Sequence, residues 1–106
     1  HYMIAAFGGP EIACTDYAPF GTQELSDLVI AGLGPRHGVL LGNHGMIATG
    51  ANLDQAMHRA VELETLARQS YLAGLAGTPV ILPDDEIMRC VERFKNYGPT
   101  AQDDEA

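Results

Sequence analysis

Val39-Leu40-Leu41-Gly42-Asn43-His44-Gly45-Met46-Ile47-Ala48 is the stretch from which the rest of this chain can be organised. Two short apolar runs flank a Gly-Asn-His-Gly tetrapeptide, the pattern of two buried strands meeting at a tight connection. A bend fixes where its side chains point, so the imidazole of His44 is expected to be held rigidly at the rim of a sheet. Imidazole is a metal ligand and an acid–base group in one side chain. The same residues also fit plain turn chemistry with a solvent-exposed ring, and the tetrapeptide by itself leaves both readings open.

Upstream of the hairpin, Thr22 is a suitable N-cap for a helix running through Leu33, with Leu25, Leu28, Val29 and Leu33 on one face and Gly32, Gly34 and Pro35 at its end. Downstream, Asn52 starts the best-marked helix, and Gln55 completes a capping-box pair. Leu53, Ala56, Met57, Ala60, Leu63, Ala67, Leu72 and Leu75 recur there near the 3.6-residue period, and Gly74 and Gly77 lie at its end. Pro83-Asp84-Asp85-Glu86 opens a last helix with acids at the positive end of its dipole. That helix turns Ile87, Val91 and Phe94 inward and is expected to stop at Gly98-Pro99.

Tyr2-Met3-Ile4-Ala5-Ala6-Phe7, closed by Gly8-Gly9-Pro10, reads as a buried strand and turn. Glu11-Ile12-Ala13-Cys14 can form a further short strand, and the type of Val80-Ile81-Leu82 stays undecided. The whole pattern is mixed α/β. Residues 99–106, rich in Gln, Asp and Glu, are expected to be a disordered acidic tail. A chain that opens at His1 directly on an apolar run is expected to be a piece of a longer protein.

Composition narrows the function. A chain of 106 residues, 46% hydrophobic and 19% charged, is one globular domain at most. Its net charge of -8 argues against nonspecific nucleic-acid binding, which needs clustered Lys and Arg, and against docking to anionic lipid. No apolar run of membrane-spanning length occurs. Cys14 and Cys90 form no C-x-x-C pair and fit two reduced thiols in a cytosolic protein. The other histidines, His1, His37 and His58, do not stand at metal-ligand spacing from His44. If His44 binds a metal, its companions come from outside these residues, because zinc needs three or four ligands. No glycine-rich nucleotide loop is present.

Four segments in order carry a resemblance: His1-Tyr2-Met3-Ile4-Ala5-Ala6, Tyr17-Ala18-Pro19-Phe20-Gly21-Thr22-Gln23-Glu24-Leu25, Asn43-His44-Gly45 and Phe94-Lys95-Asn96-Tyr97-Gly98. Together they resemble the class II aldolase/adducin family from His1 to about Gly98, over what would be the C-terminal half of its domain. The resemblance implies a three-layer α/β/α fold with a largely antiparallel sheet, present here as a partial domain in residues 1–98. It implies a cytoplasmic, zinc-dependent aldehyde-lyase that cleaves a ketose 1-phosphate of the L-fuculose 1-phosphate type. The products would be dihydroxyacetone phosphate and an aldehyde such as lactaldehyde, with zinc acting as a Lewis acid on the ketose oxygens. It further implies a homotetramer with active sites between subunits, acting on a phosphorylated sugar.

By the same resemblance, His44 matches the last of three histidine ligands of the zinc. Tyr2 matches a tyrosine that gives a proton to the aldehyde oxygen in a neighbouring subunit's site, and Tyr97 a second tyrosine that closes the site. Phe20 and Phe94 match aromatic walls of the aldehyde pocket. The family's H-x-H pair, its catalytic glutamate and its phosphate loops have no counterpart in these residues, so the chain alone is expected to be inactive. Two alternatives share the superfamily: a pentulose-phosphate 4-epimerase, and a non-catalytic adducin-like interaction domain. The Phe94–Gly98 ending favours the aldolase over the first, and His44 together with Tyr2 and Tyr97 counts against the second.

Overall fold

The computed structural model describes residues 1–96. In chain order these form a 3-10 helix (Tyr2–Phe7), strand β1 (Cys14–Thr15), helix α1 (Gln23–Leu33), strands β2 (Gly38–Leu41) and β3 (Gly45–Ala48), and helices α2 (Leu53–Ala76) and α3 (Asp84–Phe94). The histidine turn does join two antiparallel strands, with Val39 opposite Ile47 and Leu41 opposite Gly45. Strand β1 adds to the other side of β2 in parallel, with Cys14 opposite Leu40, giving a three-stranded sheet in the order β1-β2-β3.

Side-chain alternation along β2 explains why helices lie on both faces. A Cβ on Gly32 of α1 would come within 3.0 Å of Val39 Cγ2, so Val39 faces α1. A Cβ on Gly38, the preceding residue, would come within 3.0 Å of the Phe7 ring and 3.3 Å of Leu63 Cδ2 of α2. Successive residues thus meet α1 on one face, and α2 with the 3-10 helix on the other. That is the expected three-layer α/β/α order. The core consists of Ala5, Phe7, Ala18, Val39, Leu41, Leu63 and Ile87, with Phe7 and Val39 fully enclosed.

Both caps read from the sequence form. Thr22 Oγ1 accepts from Leu25 N at 3.2 Å. Asn52 Oδ1 accepts from Gln55 N at 2.8 Å, while Gln55 Oε1 accepts from Ala51 N at 2.7 Å, one residue before the expected reciprocal partner. Helix α2 buries a narrower face than its apolar spacing suggests. Leu63 is buried, with Ala56, Ala60 and Leu66 half-buried beside it, but Leu53, Met57, Leu72 and Leu75 are exposed. From Ala67 onward every residue of α2 is exposed.

Tyr2–Phe7 is not a strand. Its run of apolar residues fits a buried strand or a short helical segment equally, and local hydrogen bonds decide the matter. Ile4 N donates to His1 O at 3.2 Å, and His1 Nδ1 accepts from Met3 N at 3.1 Å as the N-cap. Gly8, at φ +93° in the left-handed region, closes the helix through its N–H to Ala5 O. The last helix ends at Phe94, earlier than Gly98-Pro99, which lie outside the described residues along with the tail 99–106. Val80-Ile81-Leu82 has no regular structure and is exposed.

Candidate functional site

His44 closes the β2–β3 connection. Its N–H donates to Leu41 O at 3.1 Å, completing a turn in which Asn43 adopts φ +56°. Asn tolerates that left-handed conformation better than most residues, which accounts for its place in the tetrapeptide. Gly42 has a different cause. Its N–H donates to Thr15 O at 3.2 Å, and a Cβ there would stand only 2.6 Å from that same oxygen. Strand β1 therefore locks the turn from one side, and only glycine fits the approach. The His44 imidazole is exposed at the mouth of a concavity of about 620 Å³ between α1 and β3, whose walls include Val29, Ile30, Leu41 and Met46.

Tyr2 and Phe94 lie far apart in sequence, and the fold brings them together. The 3-10 helix packs against α3, which places the two rings 6.4 Å apart between centroids at an interplanar angle of 48°, an attractive tilted arrangement. His1 also lies against Tyr2, 4.4 Å between ring centroids. Both aromatic rings open onto a second concavity of about 890 Å³, with Met3, His58, Arg59 and Cys90 among its walls. It shares no lining residue with the concavity beside His44.

Phe20 is 85% exposed on the loop before α1 and lines neither concavity. Tyr97 lies outside the described residues. His58 is exposed, as its place on the polar side of α2 suggests, yet it borders the Tyr2 concavity. Cys14 and Cys90 are free thiols. No helix is long and apolar enough to cross a membrane among the described residues.

The described residues do not make a zinc site by themselves. Among them no three His, Cys, Asp or Glu side chains come together to hold a metal ion.

Two residues that sequence reading passed over, Arg36 and His37, hold the exit of the 3-10 helix. His37 N donates to Phe7 O at 3.1 Å and Arg36 Nη1 donates to Gly8 O at 3.2 Å. Burial, and secondarily the positive charge of Arg59, holds the His37 imidazole below the ordinary histidine range, which favours its neutral form at pH 7. Neither residue belongs to a recognisable motif, and their partners are backbone carbonyls brought near only by folding.

Residues 1–71 match the family described as Class II Aldolase and Adducin N-terminal domain. The chain belongs to this family. It is 48% identical over 102 residues to the 5-methylthioribulose-1-phosphate/5-deoxyribulose-1-phosphate aldolase of Rhodospirillum rubrum, covering 96% of this chain and 46% of that protein. It is 52% identical over 100 residues to the L-fuculose phosphate aldolase of Escherichia coli strain K12, covering 92% of this chain and 46% of the relative. A solved L-fuculose 1-phosphate aldolase superposes with a TM-score of 0.86 at 40% identity, over 90% of this chain and 44% of that one. The chain spans about half the length of the curated relatives it matches.

Proposed function

We propose that the protein containing this chain is a metal-dependent aldehyde-lyase that cleaves a ketose 1-phosphate to dihydroxyacetone phosphate and a short aldehyde. In this reading the chain supplies His44 as one of three zinc ligands, Tyr2 as the proton donor, Tyr97 as the second tyrosine that closes the site, and Phe94 with Phe20 as walls of the aldehyde pocket. The remaining ligands and the phosphate contacts belong to the part of the fold that the curated relatives have and this chain does not span. A cytoplasmic homotetramer with sites between subunits goes with it.

The observation that carries the reading is the meeting of Tyr2 and Phe94 at one concavity from opposite ends of the described chain. A phenol beside an apolar ring suits the aldehyde end of such a reaction. In the condensation direction the phenol gives its proton to the aldehyde oxygen as the carbon–carbon bond forms; in cleavage it takes the proton back from the C4 hydroxyl. The sugar phosphates named for the relatives are 1-phosphorylated ketoses whose far end is a methyl or methylthio group. An apolar wall accepts such an end without demanding hydrogen bonds.

Assaying the protein that contains this chain on L-fuculose 1-phosphate and on 5-deoxyribulose 1-phosphate tests the reading. Dihydroxyacetone phosphate is expected from at least one of them. Release from neither, or inversion at C4 of a pentulose phosphate without cleavage, would sink it and favour the adducin-like or the epimerase alternative respectively.

A further inference from the structure

The 3-10 helix that carries Tyr2 is a weak element by itself. It has six residues, and the i→i+3 geometry makes poorer hydrogen bonds than an α-helix does. Its final carbonyls lack partners within the helix and need them from elsewhere. The connection between α1 and β2 supplies partners at this exit: His37 N bonds Phe7 O, and the Arg36 guanidinium bonds the cap carbonyl Gly8 O. A cation at that end also complements the negative pole of the helix. The guanidinium then lies over Gly9, which is buried. A Cβ on Gly9 would meet it and push this flexible side-chain end aside, so alanine at 9 is expected to disturb the contact without disturbing the backbone. Arg36 does not line the concavity onto which Tyr2 opens.

We infer that Arg36 is a positioning residue for Tyr2, clamping the exit of the 3-10 helix at Gly8 and Gly9 so that the phenol is held at its concavity beside Phe94. The inference rests on the reading of Tyr2 as proton donor. A proton donor works only within hydrogen-bond reach of the atom it serves, and a misplacement of about 1 Å can cost roughly 100-fold in rate. Phe7 and Ala5 anchor the helix by burial and α3 packs along it, while the clamp holds its exit.

The test uses the protein that contains this chain, with Arg36→Ala, Arg36→Lys, Gly9→Ala and the Gly9→Ala/Arg36→Ala pair. Amide hydrogen exchange at Gly8 and His37, whose N–H groups bond Ala5 O and Phe7 O, reports the clamp directly and needs no activity. Exchange at both is expected to quicken about tenfold or more in Arg36→Ala and in Gly9→Ala. Release of dihydroxyacetone phosphate is expected to show kcat lowered roughly 10- to 100-fold, with KM for the ketose phosphate changed less than about twofold.

Lysine, which can still donate to Gly8 O, is expected to restore kcat to within about threefold. The double variant should be no worse than either single one, because both remove the same contact. Additive losses, or kcat unchanged while exchange quickens, would overturn the positioning role. Unchanged exchange beside a normal wild-type rate overturns it alone. A wild-type protein that releases no triose phosphate overturns the proposed function, and the role assigned to Arg36 with it.

Discussion

Tyr2→Phe in the protein that contains this chain is expected to lower the rate of dihydroxyacetone phosphate release by about 100-fold or more, within the 10²- to 10⁴-fold span of a lost general acid. The substitution removes one hydroxyl and keeps the ring, so the tilted contact with Phe94 and the packing on His1 survive. Tyr2 is 49% exposed, and deletion of its hydroxyl should change stability by no more than about 0.5 kcal/mol. The loss should therefore fall on kcat, with an unaltered unfolding midpoint. A rate within about threefold of the original would remove Tyr2 from the chemistry.

Phe7→Ala should give the largest loss of stability. Phe7 is fully buried, and its ring fills the space over Gly38 between the 3-10 helix, β2 and α2. Removing it leaves a cavity that the backbone of β2 cannot close, at a cost of about 3–5 kcal/mol. Phe20→Ala provides the contrast. Its ring is 85% exposed, and truncation should cost less than about 0.5 kcal/mol unless a partner surface covers it. Urea unfolding of the two variants measures the difference, and equal midpoints would show that the core is centred elsewhere. The same experiment bears on the site, because Phe7 anchors the helix that presents Tyr2.

Much of this architecture is legible in local chemistry. Thr22 and Asn52 mark their helix starts because a capping oxygen must lie beside free amides, a requirement confined to a few residues. The hairpin is equally legible, since Gly42 and Asn43 have few other uses between two apolar runs. Tyr2–Phe7 is not legible in that way. Six apolar residues carry no periodicity that separates a strand from a 3-10 helix, and the deciding bonds come from His1 and Gly8 at its ends. The exposed face of α2 is hidden for a related reason, because the spacing of Leu53, Met57, Leu72 and Leu75 announces an apolar stripe without saying what covers it.

The site divides in the same manner. His44 and Tyr2 stand out through motifs that resemble a family, while the Tyr2–Phe94 contact depends on how the 3-10 helix meets α3. Arg36 gives no sequence signal, since its partners are the backbone at Gly8 and Gly9. Phe20 matches by motif yet lines neither concavity of the described chain. A role for it at an aldehyde pocket requires a surface beyond the described residues.

His44 remains the centre of the account: an exposed residue on a turn that strand β1 pins, with no group of three metal-binding side chains among the described residues. Zinc content of the protein that contains this chain, compared with its His44→Ala variant after identical dialysis, tests that placement most directly. The expected result is about one zinc per chain in the original, and a loss of most of it in the variant, because the substitution would remove one of the three ligands proposed. Undiminished zinc in His44→Ala would contradict the account.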